Sequence, residues 1–72
     1  MYFLILYLTN NKQKVCLVDE KQAGCIKDQF AEGKNLDFIH SSVEQPDEKV
    51  DTRWKYSSVN AIEFRIAKGT LQ

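Results

Sequence analysis

His40 is the single histidine of the chain, and histidine is the side chain best suited to general acid–base chemistry near neutral pH. Catalysis would also need a nucleophile or an orienting carboxylate within reach of the ring. The possible companions are Asp37, Ser41, Ser42, Cys16 and Cys25, and no spacing among them matches a catalytic motif. The Ser57-Ser58 pair lacks the flanking glycines of a hydrolase nucleophile turn. The sequence therefore predicts a non-enzymatic protein in which His40 ends a strand.

Cys16 and Cys25 are the two cysteines, and they stand nine positions apart. This spacing is neither a CxxC motif nor a disulfide framework. A zinc site would require both thiols, His40 and a carboxylate to converge. The three glycines, at positions 24, 33 and 69, form no phosphate-binding loop. We therefore expect neither a metal nor a cofactor.

The segment Arg53-Trp54-Lys55-Tyr56 alternates cations with aromatic rings, a composition that suits stacking on bases and contact with phosphates. On a strand, however, successive side chains point to opposite faces, so the rings and the cations would separate. A second arrangement uses Phe3 and Tyr7 for stacking. Its phosphate contacts would be Lys14, Arg53, Lys55 and Arg65. Ten basic residues balance ten acidic ones, which disfavours a general polyanion binder and leaves nucleic-acid or nucleotide binding as the alternative hypothesis.

The apolar run from position 2 to position 8 is the most hydrophobic segment of the 72-residue chain. A membrane-spanning helix needs about 20 apolar residues, and the run lacks the basic start and the cleavage site of a signal peptide. We therefore interpret it as a strand and expect a cytoplasmic protein that does not bind membranes. The length fits one domain covering residues 1–72.

Residues 2–8 and 13–18 flank Asn10-Asn11, which predicts a hairpin with a two-residue loop. This pairing opposes Leu6 to Val15 and Ile5 to Cys16. One face then carries Leu4, Leu6, Leu8, Val15 and Leu17 and resembles a core. The other face carries Phe3, Ile5, Tyr7, Lys14, Cys16 and Val18.

A helix is expected at about 20–32, because Asp19 is a good N-cap, Gln22 completes a capping-box pattern and Gly33 suits the position after the helix. Alternating apolar residues predict strands near 36–41, 50–56 and 62–66. The segment 42–49 reads as a flexible polar loop, and 68–72 as a frayed tail. The element order β-β-α-β-β-β predicts an α+β domain, with one amphipathic helix on one face of a mostly antiparallel sheet of about five strands.

A sheet has two faces, and this chain supplies one helix. The helix is expected to cover the face that contains Leu4, with Trp54, Ile62, Phe64 and Ile66 on the same side. The face left over predicts an interface, formed by Phe3, Ile5, Tyr7, Cys16 and Val18 and rimmed by Lys14, Arg53, Lys55 and Arg65. The competing interpretation is that the 42–49 loop or the C-terminal tail folds over this face.

The sequence thus predicts a small interaction module that forms a homodimer and binds another protein, which it could inhibit by occupying its surface. In size, charge balance and element order the chain is similar in general style to small accessory and inhibitor proteins of phages and mobile elements, a likeness that no particular motif carries.

Overall fold

A computed structural model describes residues 1–67 and shows the expected α+β fold. The predicted tail 68–72 lies outside the described residues. The elements are β1 (Tyr2–Leu8), β2 (Gln13–Val18), α1 (Glu20–Ala31), β3 (Leu36–His40), β4 (Val50–Trp54), a 3-10 turn (Tyr56–Ser58) and β5 (Val59–Ile66). The element order is the predicted one. In the described part of the chain, no helix has the length and apolar character needed to cross a membrane.

The strands form two antiparallel sheets, one of three strands in the order β2-β1-β5 and one of two strands, β3-β4. They meet at a bridge between Leu17 and Ser41, where the Leu17 N–H donates to the Ser41 carbonyl at 2.8 Å and the Ser41 N–H donates back at 2.9 Å. Through this bridge the spatial order is β5-β1-β2-β3-β4. The outer strands, β5 and β4, are therefore at opposite ends of the structure.

The helix begins and ends close to the predicted positions. The Asp19 carboxylate accepts a hydrogen bond from the Gln22 N–H at 2.8 Å, as an N-cap should. Gly33 has φ 72°, the left-handed conformation that closes a helix C-terminus. The helix buries Ile26 completely and packs Ala23 and Phe30 against the sheet.

The predicted two-residue loop of the first hairpin is wrong. The Leu8 N–H donates to the Lys12 carbonyl at 2.9 Å, so the loop contains three residues, 9–11, and Asn11 takes φ 66°. This is the turn in which a left-handed third residue forms a bulge. Leu6 therefore pairs with Lys14, and Ile5 pairs with Val15. Because side chains alternate along a strand, this shift of one residue moves every β2 side chain to the other face.

The corrected pairing changes which residues of β2 are buried. Cys16 and Val18, predicted at the interface, belong to the core, whereas Val15 and Leu17, predicted in the core, lie on the opposite face. The expected core residues of β1 are confirmed. The buried cluster consists of Leu4, Leu6, Cys16, Val18, Ile26, Leu36, Phe38 and Val59, with Trp54, Ile62 and Phe64 packed against it.

Two glutamine side chains of α1 occupy the edge of β3 that faces β2. The Asp37 N–H donates to Gln29 Oε1 at 3.0 Å, and Gln29 Nε2 donates to the Asp37 carbonyl at 3.4 Å. The Ile39 N–H donates to Gln22 Oε1 at 3.1 Å, so Gln22 contacts β3 instead of completing a capping box. These amides satisfy main-chain groups that a neighbouring strand would otherwise pair, which is why the five strands divide into two sheets.

The segment between β3 and β4 contains the expected turn at Pro46-Asp47, closed by the Glu48 N–H donating to the Gln45 carbonyl at 3.1 Å. The Ser42 hydroxyl accepts a further hydrogen bond from the Gln45 N–H at 2.9 Å. Residues 42–49 are all exposed. Their flexibility stays a prediction.

Candidate interaction surface

The side of the three-stranded sheet opposite α1, which we call the open face, is a grid of nine side chains. Its central strand contributes Phe3, Ile5 and Tyr7. They are flanked by Gln13, Val15 and Leu17 of β2 on one side and by Ala61, Glu63 and Arg65 of β5 on the other. Five residues were predicted to form the interface. Phe3, Ile5 and Tyr7 of β1 lie on the open face, whereas Cys16 and Val18 of β2 lie on the opposite side, in the core.

The apolar part of the open face is more enclosed than the sequence suggests. Ile5 is 9% exposed and Leu17 5%, while Phe3 and Tyr7 are half-buried. Val15 is 44% exposed and is the most accessible large apolar side chain of the grid. The surface available to a partner is therefore a small apolar area centred on Val15.

A hydrogen-bonded network lies beside this apolar area. The Tyr7 hydroxyl donates to Glu63 Oε1 at 2.6 Å, and Arg65 Nε donates to Glu63 Oε2 at 2.7 Å. The bond from Tyr7, followed by that from Arg65, lowers the pKa of the Glu63 carboxyl. The same bond raises the pKa of Tyr7. Sequence reasoning missed this network, because it depends on the pairing of β1 with β5, which no local pattern indicates.

The four basic residues predicted as a rim do not surround the open face. Arg65 is the one that borders it, opposite Phe3. Arg53 lies on β4, at the far end of the strand order, and forms an ion pair with Asp37 at 3.1 Å. Lys14 is exposed on the helix side of β2, and Lys55 follows the end of β4.

The aromatic residues of the 53–56 segment also have structural partners. Trp54 packs against the core, and the ring of Tyr56 lies 5.4 Å from that of Phe30. Neither ring is on the open face with Phe3 and Tyr7. The structure therefore does not assemble the aromatic and basic side chains into one surface.

His40, Cys16 and Cys25 lie in different surroundings. The His40 ring lies 5.6 Å from that of Phe38, and its Nδ1 is 3.4 Å from the Ser41 carbonyl oxygen. Cys16 is buried, which raises the pKa of its thiol to about 11, and Cys25 is exposed. Within residues 1–67, no group of three or more His, Cys, Asp or Glu side chains could hold a metal ion.

Comparison with protein families finds no model that matches the chain, and no curated protein and no solved structure matches it either.

Proposed function

We propose that this chain is a small protein-binding module that contacts its partner through the open face. One observation supports the proposal above the others: α1 lies on one side of the three-stranded sheet, and the other side carries apolar side chains, including the exposed Val15. An apolar area with a polar border is typical of a protein interface.

The network at Glu63 gives this surface a fixed polar border. Tyr7 and Arg65 each hold one carboxylate oxygen, so the three side chains present a defined geometry beside the apolar residues. Ordered polar groups of this kind select a partner and fix its orientation more than they increase affinity. Where the partner is an enzyme or a nucleoprotein complex, occupying its surface would inhibit it.

Nucleic-acid or nucleotide binding is less well supported by the arrangement of charges. Arg53 and Arg65 are paired with Asp37 and Glu63, and the remaining predicted cations lie elsewhere. Phosphate contacts would have to compete with these carboxylates. Nucleic-acid binding is therefore one of the outcomes that the capture experiment distinguishes.

The test compares proteins captured from the native cell by the wild-type chain and by Val15→Lys, after nuclease treatment. Val15 is replaced because it is exposed and central, so the charge blocks docking without entering the core. The matched control is Val50→Lys, which places the same charge at a comparably exposed valine of β4. We expect one captured protein to be lost with Val15→Lys and retained with Val50→Lys.

Retention of every captured protein by Val15→Lys would contradict the use of the open face. Binding that disappears with nuclease, or that weakens about 10³-fold between 50 and 200 mM salt, would assign the chain to the nucleic-acid class.

A further inference from the structure

The outer edge of β5 presents main-chain groups that no described residue pairs. The Leu8 N–H bonds to Lys12, so even-numbered residues of β1 direct their main chain to β2. The Thr9 N–H bonds to the Ser58 carbonyl at 3.1 Å, so odd-numbered residues of β1 direct theirs to β5. The strand pairing then leaves the N–H and C=O groups of Ile62, Phe64 and Ile66 directed outward, away from β1.

The helix does not cover this edge. It packs mainly against β3 and β1, so the side chains of β5 on the helix side extend beyond it. Ile66 is 65% exposed as a result, and Phe64 is half-buried. A groove of about 250 Å³ separates the helix from this strand, with Ala23 and Gly24 on one wall and Phe64 on the other. An eight-residue strand whose outer edge is unpaired among the described residues, and whose apolar side chains are partly uncovered, is the kind of edge that pairs with another strand.

The sequence of β5 is complementary to itself in one antiparallel register. We propose that β5 pairs with β5 of a second copy of this chain about a two-fold axis at Phe64. This register places Glu63 opposite Arg65 of the second copy, and Arg65 opposite Glu63. It also opposes Ile62 to Ile66, which covers the most exposed large apolar side chain of the strand.

Two features favour this register. The axis passes through Phe64, whose own N–H and C=O point outward, so the two copies of Phe64 exchange a pair of hydrogen bonds. An axis at Glu63 or Arg65 would also align the outward main-chain groups, but it would oppose two like charges. Shifting the axis to Ile62 would place Glu63 opposite Ala61 and would lose both ion pairs. The Arg65 guanidinium can serve two carboxylates, because its Nε bonds to Glu63 and its terminal nitrogens bond to no residue among positions 1–67.

The edge of β4 has a similar alternation, with Asp51 and Arg53, and is the competing site. It is shorter, with five residues against eight. Its Arg53 forms an ion pair with Asp37 of the neighbouring strand β3, on the side away from the outer edge. Arg65 instead pairs with Glu63 of its own strand and so stays at the outer edge. These differences favour β5.

The resulting dimer joins two three-stranded sheets into one of six strands, β2-β1-β5-β5-β1-β2. Since the two-fold axis is perpendicular to the sheet, both helices lie on one side and both open faces on the other. The dimer shares Glu63 and Arg65 with the polar border of the open face, but it does not involve Val15 of β2. Val15→Lys therefore tests partner binding alone, and the two proposals can fail separately. If both hold, the dimer presents two copies of the partner-binding surface side by side.

Sedimentation over a concentration series tests the dimer with a charge-reversal pair. Arg65→Glu opposes Glu63 to a second carboxylate at both symmetric positions, and we expect the dimer dissociation constant to rise about tenfold or more. The double variant Glu63→Arg/Arg65→Glu exchanges the charges and should restore the wild-type constant to within about threefold. Arg53→Glu makes the same charge change on β4 and should leave dimerisation unchanged. Circular dichroism confirms that each variant is folded.

A wild-type chain that stays monomeric throughout the series would overturn the proposal. Dissociation by Arg53→Glu with no effect of Arg65→Glu would assign the dimer to β4. Dissociation by Arg65→Glu that the double variant fails to rescue would overturn the register. Val15→Lys should remain dimeric, and its dissociation would place the interface on the open face instead.

Discussion

The side-chain amide of Gln29 pairs with the main chain of Asp37 as a neighbouring strand would, accepting from the Asp37 N–H and donating to its carbonyl. Replacing Gln29 by alanine removes both hydrogen bonds. Alanine also favours the helical conformation, so the helix itself should not be weakened. We expect Gln29→Ala to lower the free energy of unfolding by about 1 kcal/mol, and Lys21→Ala, elsewhere on the helix, to change it by about 0.5 kcal/mol or less. Urea denaturation measures both.

Hydrogen exchange identifies the site of this effect. The Asp37 amide should exchange faster in Gln29→Ala, while the Phe38 amide, within the β3-β4 ladder, should keep its rate. Equal acceleration of both amides would show global destabilisation instead of the loss of this contact.

The register of the first hairpin can be tested with one substitution at two positions. Val15→Lys places a charge on the open face and should change the free energy of unfolding by about 1 kcal/mol or less. Val18→Lys buries the charge in the core and should cost about 3 kcal/mol or more. The two-residue loop would place Val15 in the core and Val18 on the open face, so it predicts that Val15→Lys is the more destabilising of the two. Thermal denaturation of both variants therefore distinguishes the registers.

The Tyr7–Glu63 hydrogen bond should make stability depend on pH. The folded state lowers the pKa of Glu63, so the stabilisation is present above the pKa of the unfolded carboxyl, about 4.3, and declines as the pH falls through the folded value. We expect Tyr7→Phe to be less stable than wild type at about pH 7, and the difference to shrink at about pH 3. Urea denaturation at both values measures it.

Tyr56→Phe is the control for this experiment, because the Tyr56 hydroxyl has no hydrogen-bond partner among residues 1–67. Its stability relative to wild type should not vary over the same pH range. A Tyr7→Phe difference that is equally independent of pH would show that the bond to Glu63 does not influence folding.

The two cysteines should differ in reactivity. Cys25 is exposed, whereas burial raises the pKa of Cys16 to about 11 and shields its sulfur. Mass spectrometry after iodoacetamide treatment should find one adduct on the native protein, at Cys25, and two in denaturant. Rapid native labelling of a Cys25→Ser variant would contradict the burial of Cys16.

Two glycines should respond to alanine in opposite directions. Gly24 lies within α1, and an added Cβ would meet nothing within 4 Å, so Gly24→Ala should stabilise the protein by about 1 kcal/mol. Gly33 has a positive φ, so Gly33→Ala should destabilise it by about 1 kcal/mol. Thermal denaturation of the pair checks both signs, and equal signs would contradict the helix boundary.

The sequence alone determined the features that depend on neighbouring residues. Asp19 and Gly33 identify the ends of the helix, because capping involves groups within one turn of the chain. An apolar run and a hairpin signal located β1 and β2, and alternating apolar residues located β3, β4 and β5. The pattern of β1 identified Leu4 and Leu6 as core. These signals sufficed for the fold class and for the three open-face residues of β1.

Tertiary structure decided the features that depend on distant contacts. A three-residue turn closed by Asn11 shifted β2 by one residue, and this exchanged Cys16 and Val18 with Val15 and Leu17. Apolar residues occupy both faces of β2, so hydrophobicity could not choose between the two registers. The Glu63 network required β5 to lie beside β1, and the division into two sheets required the helix amides to contact β3. The Glu63 network and the division into two sheets each involve residues far apart in the chain, whose pairing is set by packing and not by local pattern.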